Sequence, residues 1–227
     1  MGTPALRTVV LDLDDTLLAS APAMRRARRA LREAGVDPVR FAAADRRWWR
    51  SYTAGECTVE ELRLGRFADC GVLGEEAVRL NWTYRELTSL PRPRRGARHL
   101  LIQLRELGWK TVILTNGTVD PQRRKVAAAR FEALVDAVVI TEEIGFHKPH
   151  PAAFAAALER VGGEPRSAAM VGDMLSYDVG GALAAGFARA VWLTTRRPHP
   201  DPRVATVRRL QEVLPTLLGE VAGASPR

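Results

Sequence analysis

In TVVLDLDDTLL, residues 8–18, an apolar and β-branched run ends in three aspartates within four positions, Asp12, Asp14 and Asp15. Asp12 and Asp14 are two apart, so an extended chain points them the same way, about 6.6 Å apart along the strand. Carboxylates that close repel, and one tends to take up a proton unless a cation lies between them. Oxygen donors with no His or Cys companion suit Mg²⁺, which one or two carboxylates and a substrate phosphate commonly hold. Asp15 faces elsewhere and reads as a solvated turn residue.

Three further pieces carry chemistry. The run TVILT at 111–115 leads into Thr115-Asn116-Gly117, and Asp120-Pro121 reads as a cap followed by proline at the start of a helix. A hydroxyl, an amide and a flexible glycine ahead of a helix form an anion cradle, although the same residues are ordinary turn formers. Lys148 lies in GFHKPHPAAF, where Pro149 and Pro151 restrict the backbone. Of 34 cationic residues only Lys110, Lys125 and Lys148 are not Arg. A lysine kept in such a chain points to a need for a compact charge rather than a planar fork. Neighbouring His147 and His150 have no carboxylates beside them in sequence and read as exposed residues, not metal ligands. Last, AAMVGDMLSYD closes a buried run with Gly172-Asp173, and Asp178 follows at the start of a helix as a cap or supporting group.

The elements that position these groups follow from pattern. Strands are expected at 8–12, 111–115, 137–140, 168–172 and 189–193, apolar without alternation, as in parallel strands covered on both faces. Helices are expected at about 96–107, 121–130, 151–161, 179–185 and 207–219, with Gly162-Gly163 ending the third. The alternation predicts an α/β fold with a doubly wound, Rossmann-like parallel sheet. Residues 20–91 differ: PAMRRARRALREAG, TVEELRLGRFADCG and EEAVRLNWTYRELTSL carry helically spaced apolar residues and no convincing strand. The expected organisation is a core of 1–19 and 92–227 with a helical insertion at 20–91, PRPRRG at 91–96 serving as return linker. Ligands of open α/β sheets bind beyond the carboxyl ends of the strands. All four motifs fall there, and the insertion hangs over them as a lid.

Composition narrows the class. No apolar run reaches the roughly 18 residues of a membrane span, and the N-terminus lacks the basic and apolar stretches of a secretory signal. Cys57 and Cys70 are the only cysteines, which fits a reduced, cytoplasmic chain without a zinc site. The formal charge is +8, and nearly all the excess lies in residues 20–98, with 17 Arg against 10 Asp and Glu. Such a surface either draws an anionic substrate or is a set of solvated helix faces in an arginine-rich chain. No nucleic-acid-binding motif accompanies it, which argues against that partner.

The four motifs, in this order and each at a strand end, resemble those of the haloacid dehalogenase superfamily. DLDDT matches its first motif DxDxT, Thr115 its second, Lys148 its third and GDMLSYD its fourth, GDxxxxD. The helical insertion looks like the family's C1 cap. DLDDTL, LTNG and KPHPAAF are most similar to the phosphatase branch that includes pyrimidine 5′-nucleotidases and N-acylneuraminate-9-phosphatase. The resemblance implies a Mg²⁺-dependent phosphatase acting on a small phosphorylated metabolite. Asp12 would attack phosphorus, and Asp14 would protonate the leaving oxygen and then activate water. Thr115, the Asn116 amide and Lys148 would hold the phosphoryl oxygens. Asp12, the Asp14 carbonyl and Asp173 would hold the metal, with Asp178 supporting. Dehalogenases of the superfamily lack the second aspartate and its phosphonatases use a cap lysine. Asp14 is present and no lysine precedes Lys110, so both chemistries are disfavoured. Phosphomutases share the four motifs and stay open, as does a non-catalytic anion- or nucleic-acid-binding protein on this scaffold. Specificity is expected from Trp48, Trp49, Arg50 and the loop from Tyr52 to Thr58, although the tryptophans also suit a packed core.

Overall fold

TVVL forms β1 (Thr8–Leu11), with all four side chains buried, in a computed structural model that describes residues 6–89 and 91–219. After it come a short strand β2 (Leu18–Ala19), helices α1 (Ala21–Glu33), α2 (Pro38–Thr53), α3 (Val59–Ala68) and α4 (Gly74–Thr88), and a short strand β3 (Arg92–Pro93). The chain continues through α5 (Ala97–Glu106), β4 (Lys110–Thr115), α6 (Val119–Ala129), β5 (Ala137–Ile140), α7 (Thr141–Ile144) and α8 (Pro151–Glu159). Then follow β6 (Ala168–Gly172), α9 (Gly181–Ala184), β7 (Arg189–Leu193), β8 (Val204–Val207) and α10 (Val213–Leu218).

The main sheet runs β5-β4-β1-β6-β7-β8, with every pairing parallel. From β1 the chain winds outward through β4 and β5, then crosses over to β6, β7 and β8. The winding direction therefore reverses at β1, and such a switch point opens a crevice at the carboxyl edge. Val9 and Leu11 pack into the layer with Leu101, Leu104 and Val213, whereas Val10 packs with Phe154 and Leu158. Alternate side chains thus enter opposite layers, and a strand buried on both faces loses its polar period.

Helices α1 to α4 have a core of their own around Leu31, Phe41, Phe67, Leu80 and Tyr84. Arg66 is buried beside it, with its guanidinium 4.6 Å from the Tyr84 ring centroid and 5.4 Å from that of Phe41. It donates to Asp45 at 2.7 Å and to Asn81 at 2.9 Å, so the charge is compensated rather than merely buried. Asp37 caps α2 by accepting from Val39 N–H at 2.8 Å, and Thr58 and Glu61 form a reciprocal capping box that opens α3.

The elements depart from expectation in four places. Val204–Val207 is a strand, and the helix expected at 207–219 begins only at Val213, after a single 3₁₀ turn at Leu210–Glu212. As an edge strand β8 keeps Ala205 and Thr206 half-buried, so VATV lacks the continuous apolar run of its neighbours. Helix α6 begins at Val119 with Thr118 as its cap residue, which places Asp120 in the first turn, where its charge favours the helix N-terminus. Arg92–Pro93 pairs antiparallel with Leu18–Ala19, so PRPRRG is part of a ribbon and not a bare linker. The helix expected at 179–185 starts earlier, as a π-helical turn at Leu175–Gly180, and Asp178 lies inside it. Residues 1–5, Leu90 and 220–227, which the expected boundaries include, lie outside the described residues.

Candidate active site

Beyond Leu11 the chain stays in the sheet for one more residue, because Asp12 N–H donates to Val171 O at 2.9 Å. It then turns sharply. Asp15 has φ 59°, a left-handed conformation that Asp tolerates better than most residues. Its carboxylate accepts from Ser20 N–H at 3.0 Å and Ser20 Oγ at 2.5 Å. Asp15 therefore closes the turn as a half-buried group, not as the solvated residue expected.

The turn sends Asp12 and Asp14 to different cations. Lys148, 2% exposed, donates from Nζ to Asp12 Oδ1 and to Asp178 Oδ1, both at 2.7 Å. Asp14 Oδ2 accepts from Lys125 Nζ at 2.7 Å and from Gln122 Nε2 at 3.1 Å. Both aspartates line one cavity of about 100 Å³, with Thr115, Asn116, Lys148, Asp173 and Asp178 in its wall. Larger grooves of about 700 and 660 Å³ lie beside Asp173 and around Arg94 and Arg208, and they hold neither Asp12, Asp14 nor Lys148. The carboxylate cavity is the smaller, and Trp49 of the inserted helices forms part of its wall.

Asn116 acts on Lys148. Its side chain accepts from Lys148 N–H at 2.8 Å and donates to Lys148 O at 2.9 Å. These two bonds fix the Lys148 backbone and engage the Asn116 side-chain oxygen and one of its two side-chain N–H groups. Thr115 Oγ1 is held by Gln122 Nε2. Trp192 Nε1 donates to Asp173 O at 2.9 Å and fixes the turn after β6. A Cβ added at Gly172 would overlap the Asp178 side chain, so only glycine lets Asp178 reach Lys148 from this turn. Gly172→Ala is expected to push Asp178 off Lys148 and cost about 1–3 kcal/mol, as overpacking does, measured by urea unfolding.

Burial pushes the Asp12 carboxyl from 3.8 up to about 8 against the pull of Lys148, and Asp178 and Asp173 add to the rise. Burial likewise raises Asp173 to about 7, helped by Asp178 and Asp15. Burial opposes the charge on Lys148, but Asp12 and Asp178 outweigh it and hold the ammonium above its ordinary range. Carboxylate oxygens of Asp12, Asp173 and Asp178 lie within 4.8 Å of one another. One ammonium among three such carboxylates leaves excess negative charge, and an all-oxygen set of this kind fits a hard divalent cation. Asp178 has both oxygens engaged, Oδ1 by Lys148 and Oδ2 by Met174 N–H at 3.0 Å. Asp12 and Asp173 are thus the more open donors.

Of the four lid residues singled out in sequence, Trp49 lines the cavity. Tyr52 is buried behind it, its ring centroid 5.7 Å from that of Trp49 and 4.6 Å from that of His147. Trp48 turns away: its Nε1 donates to Asp69 at 3.0 Å and its ring lies against Gly65 between α2 and α3. Arg50 is exposed and does not line the cavity. Consecutive helical residues are spread by about 100°, so three in a row cannot all face the sheet. His147 is half-buried rather than exposed, with Nδ1 2.7 Å from Thr141 Oγ1, and burial lowers its pKa. His150 is exposed as expected and caps α8 by accepting from Ala152 N–H at 3.2 Å. Gln122 and Tyr177 were not foreseen at the site. Tyr177 lines the cavity and its hydroxyl lies 3.4 Å from Thr53 Oγ1, a contact between lid and sheet edge.

A switch-point crevice carrying clustered carboxylates and a buried lysine, under an inserted helical block, is the architecture of a hydrolase class. A family profile for haloacid dehalogenase-like hydrolases matches residues 6–186, and the chain belongs to that family. It is 30% identical over 250 residues to phosphoserine phosphatase of Thermus thermophilus, covering 95% of this chain and 99% of that one. It is 28% identical to N-acylneuraminate-9-phosphatase of Rattus norvegicus over 96% of this chain and 97% of that one. Among solved structures, the putative HAD-hydrolase YfnB from Bacillus subtilis matches with a TM-score of 0.78 at 22% identity, covering 94% of this chain and 99% of that one. At that identity the likeness shows the fold alone.

Proposed function

We propose that the chain is a Mg²⁺-dependent phosphatase that hydrolyses a small phosphomonoester through a phosphorylated Asp12. The observation that carries this reading is the division of labour between the two aspartates. Asp12 is paired with a buried lysine, Asp14 is held separately by Lys125 and Gln122, and both face one cavity. An Asp12 oxygen attacks phosphorus, the ester P–O bond breaks, and Asp14 delivers a proton to the departing oxygen. Asp14, now ionised, takes a proton from water as that water attacks the phosphorus of the acyl phosphate, releasing phosphate and restoring Asp12. Lys148, with Thr115 and the Asn116 N–H, offers positive charge and donors to the equatorial oxygens as charge moves onto them. Mg²⁺, when held by Asp12, Asp173 and the Asp14 carbonyl, would neutralise charge on the same oxygens. Trp49 and Tyr177 supply an apolar wall, which suits a compact leaving group.

Release of inorganic phosphate from p-nitrophenyl phosphate, and from a panel of phosphorylated metabolites, tests the reading. Turnover should require Mg²⁺ and stop with chelator. Activity that survives the chelator contradicts it, and isomerised ester without free phosphate identifies a phosphomutase instead.

Metal also enters through stability. In the metal-free protein, Asp12 and Asp173 hold protons up to about 8 and about 7, whereas the unfolded chain releases them near 3.8. Between those values the folded state binds more protons than the unfolded one, so its stability falls as pH rises through that window. A bound cation offsets the buried negative charge that appears as these carboxyls ionise. The Mg²⁺-induced rise in Tm is therefore expected to be larger at pH 8 than at pH 5, read by thermal unfolding with and without the metal. An equal rise at both pH values contradicts the metal assignment.

A further inference from the structure

Helix α6 presents Gln122 and Lys125, three residues apart and so on one face, to the carboxylate of Asp14. Both donors converge on the same oxygen, Oδ2, at 3.1 and 2.7 Å. Oδ1 has no hydrogen-bond partner among the described residues. Gln122 is 3% exposed, and its Nε2 also reaches Thr115 Oγ1 and, at 3.3 Å, Asn116 O. Lys125 has a side chain 14% exposed and is one of only three lysines in a chain otherwise cationic through arginine.

We infer that Lys125 and Gln122 are positioning residues that lock Oδ2 of Asp14, so that Oδ1 is the oxygen that exchanges the proton with the ester and then with water. The inference rests on the phosphatase reading above. A free carboxylate rotates about its terminal bond and swings between rotamers. Two donors on one oxygen stop that motion and leave the other oxygen in a fixed direction. Gln122 ties the same clamp to Thr115 at the end of β4, so the proton-transfer group and the anion cradle move as one unit. A plain structural ion pair between α6 and the β1 turn would look the same at rest. It would not favour one leaving group over another.

The test is therefore the dependence on leaving group. A nitrophenolate departs without a proton, whereas an alkoxide needs one, so the two ester types weigh the acid differently. Lys125→Met is expected to lower kcat/KM for an alkyl phosphate found in the metabolite panel at least tenfold more than kcat/KM for p-nitrophenyl phosphate. That is part of the about 10²–10⁴-fold that a positioned acid contributes. In an Asp14→Asn background, adding Lys125→Met should change the alkyl value less than twofold, because the group being positioned is already gone. Equal losses on both esters, or a full further loss in the double variant, overturn the inference while leaving the phosphatase reading intact. Absence of Mg²⁺-dependent turnover in the wild-type protein removes both.

Discussion

Asp12→Asn is expected to abolish phosphate release while leaving the protein folded. Losing a nucleophile costs roughly 10⁴–10⁶-fold in kcat, because the oriented cradle that remains has nothing to transfer the phosphoryl group to. Stability should move the other way. Asp12 is pushed up to about 8 by burial and by neighbouring carboxylates, so a neutral isostere replaces a largely protonated carboxyl below that pH and removes a strained charge above it. Lys148 keeps Asp178 at 2.7 Å as a partner, so it is not orphaned. The expected pair of results is no measurable turnover with a Tm equal to or above that of the wild type, read by phosphate assay and thermal unfolding. A variant that is inactive because it is unfolded would show neither the retained Tm nor retained Mg²⁺ stabilisation through Asp173.

Lys148→Met should produce the largest loss of stability. The ammonium is 2% exposed and joins Asp12 to Asp178, and no other cation donates to either carboxylate among the described residues. Removing one partner of a buried ion pair costs about 3–5 kcal/mol, since the remaining charges stay buried and uncompensated. For a domain of this size that is roughly 6–20 °C in Tm, at about 2–4 °C per kcal/mol. Adding Asp12→Asn to Lys148→Met should recover part of the loss, because one of the stranded carboxylates is then neutral. A double variant whose stability change is only the sum of the two single changes would show that Lys148 acts through packing and not through charge. Activity should fall with Lys148→Met even where the protein is kept folded by low temperature and Mg²⁺.

Asp12, Thr115 and Asp173 were legible because each closes an apolar run, and Lys148 because lysine is rare in this chain. Asp12, Thr115 and Asp173 sit at or just past the ends of β1, β4 and β6, and Lys148 lies in the loop between α7 and α8 that follows β5, which is why one sheet edge gathers them. The helical insertion was equally plain from its period. What stayed hidden depends on contacts between distant residues. Lys125 stood out as a rare lysine, but its partner Asp14 lies 111 residues away and no local pattern joins them. Gln122 carried one usable signal, its place three residues before Lys125 on the same helix face. The Trp48-Trp49-Arg50 run concealed its one site-facing member because helical phase could not be fixed from sequence alone. Asp15 misled for a different reason: its left-handed backbone and its bonds to Ser20 turn an ordinary-looking acid into the clasp of the turn. Edge strand β8, half-buried in the middle, had too weak a pattern to be seen.

In the proposed mechanism the phosphoryl group passes through Asp12. The most direct test is rapid acid quench of the wild-type protein turning over phosphorus-labelled p-nitrophenyl phosphate in Mg²⁺, followed by peptide mapping. Label is expected on the peptide that contains Asp12, and none in the Asp12→Asn variant. Label on another residue, such as His147, or turnover with no protein-bound label, would contradict it.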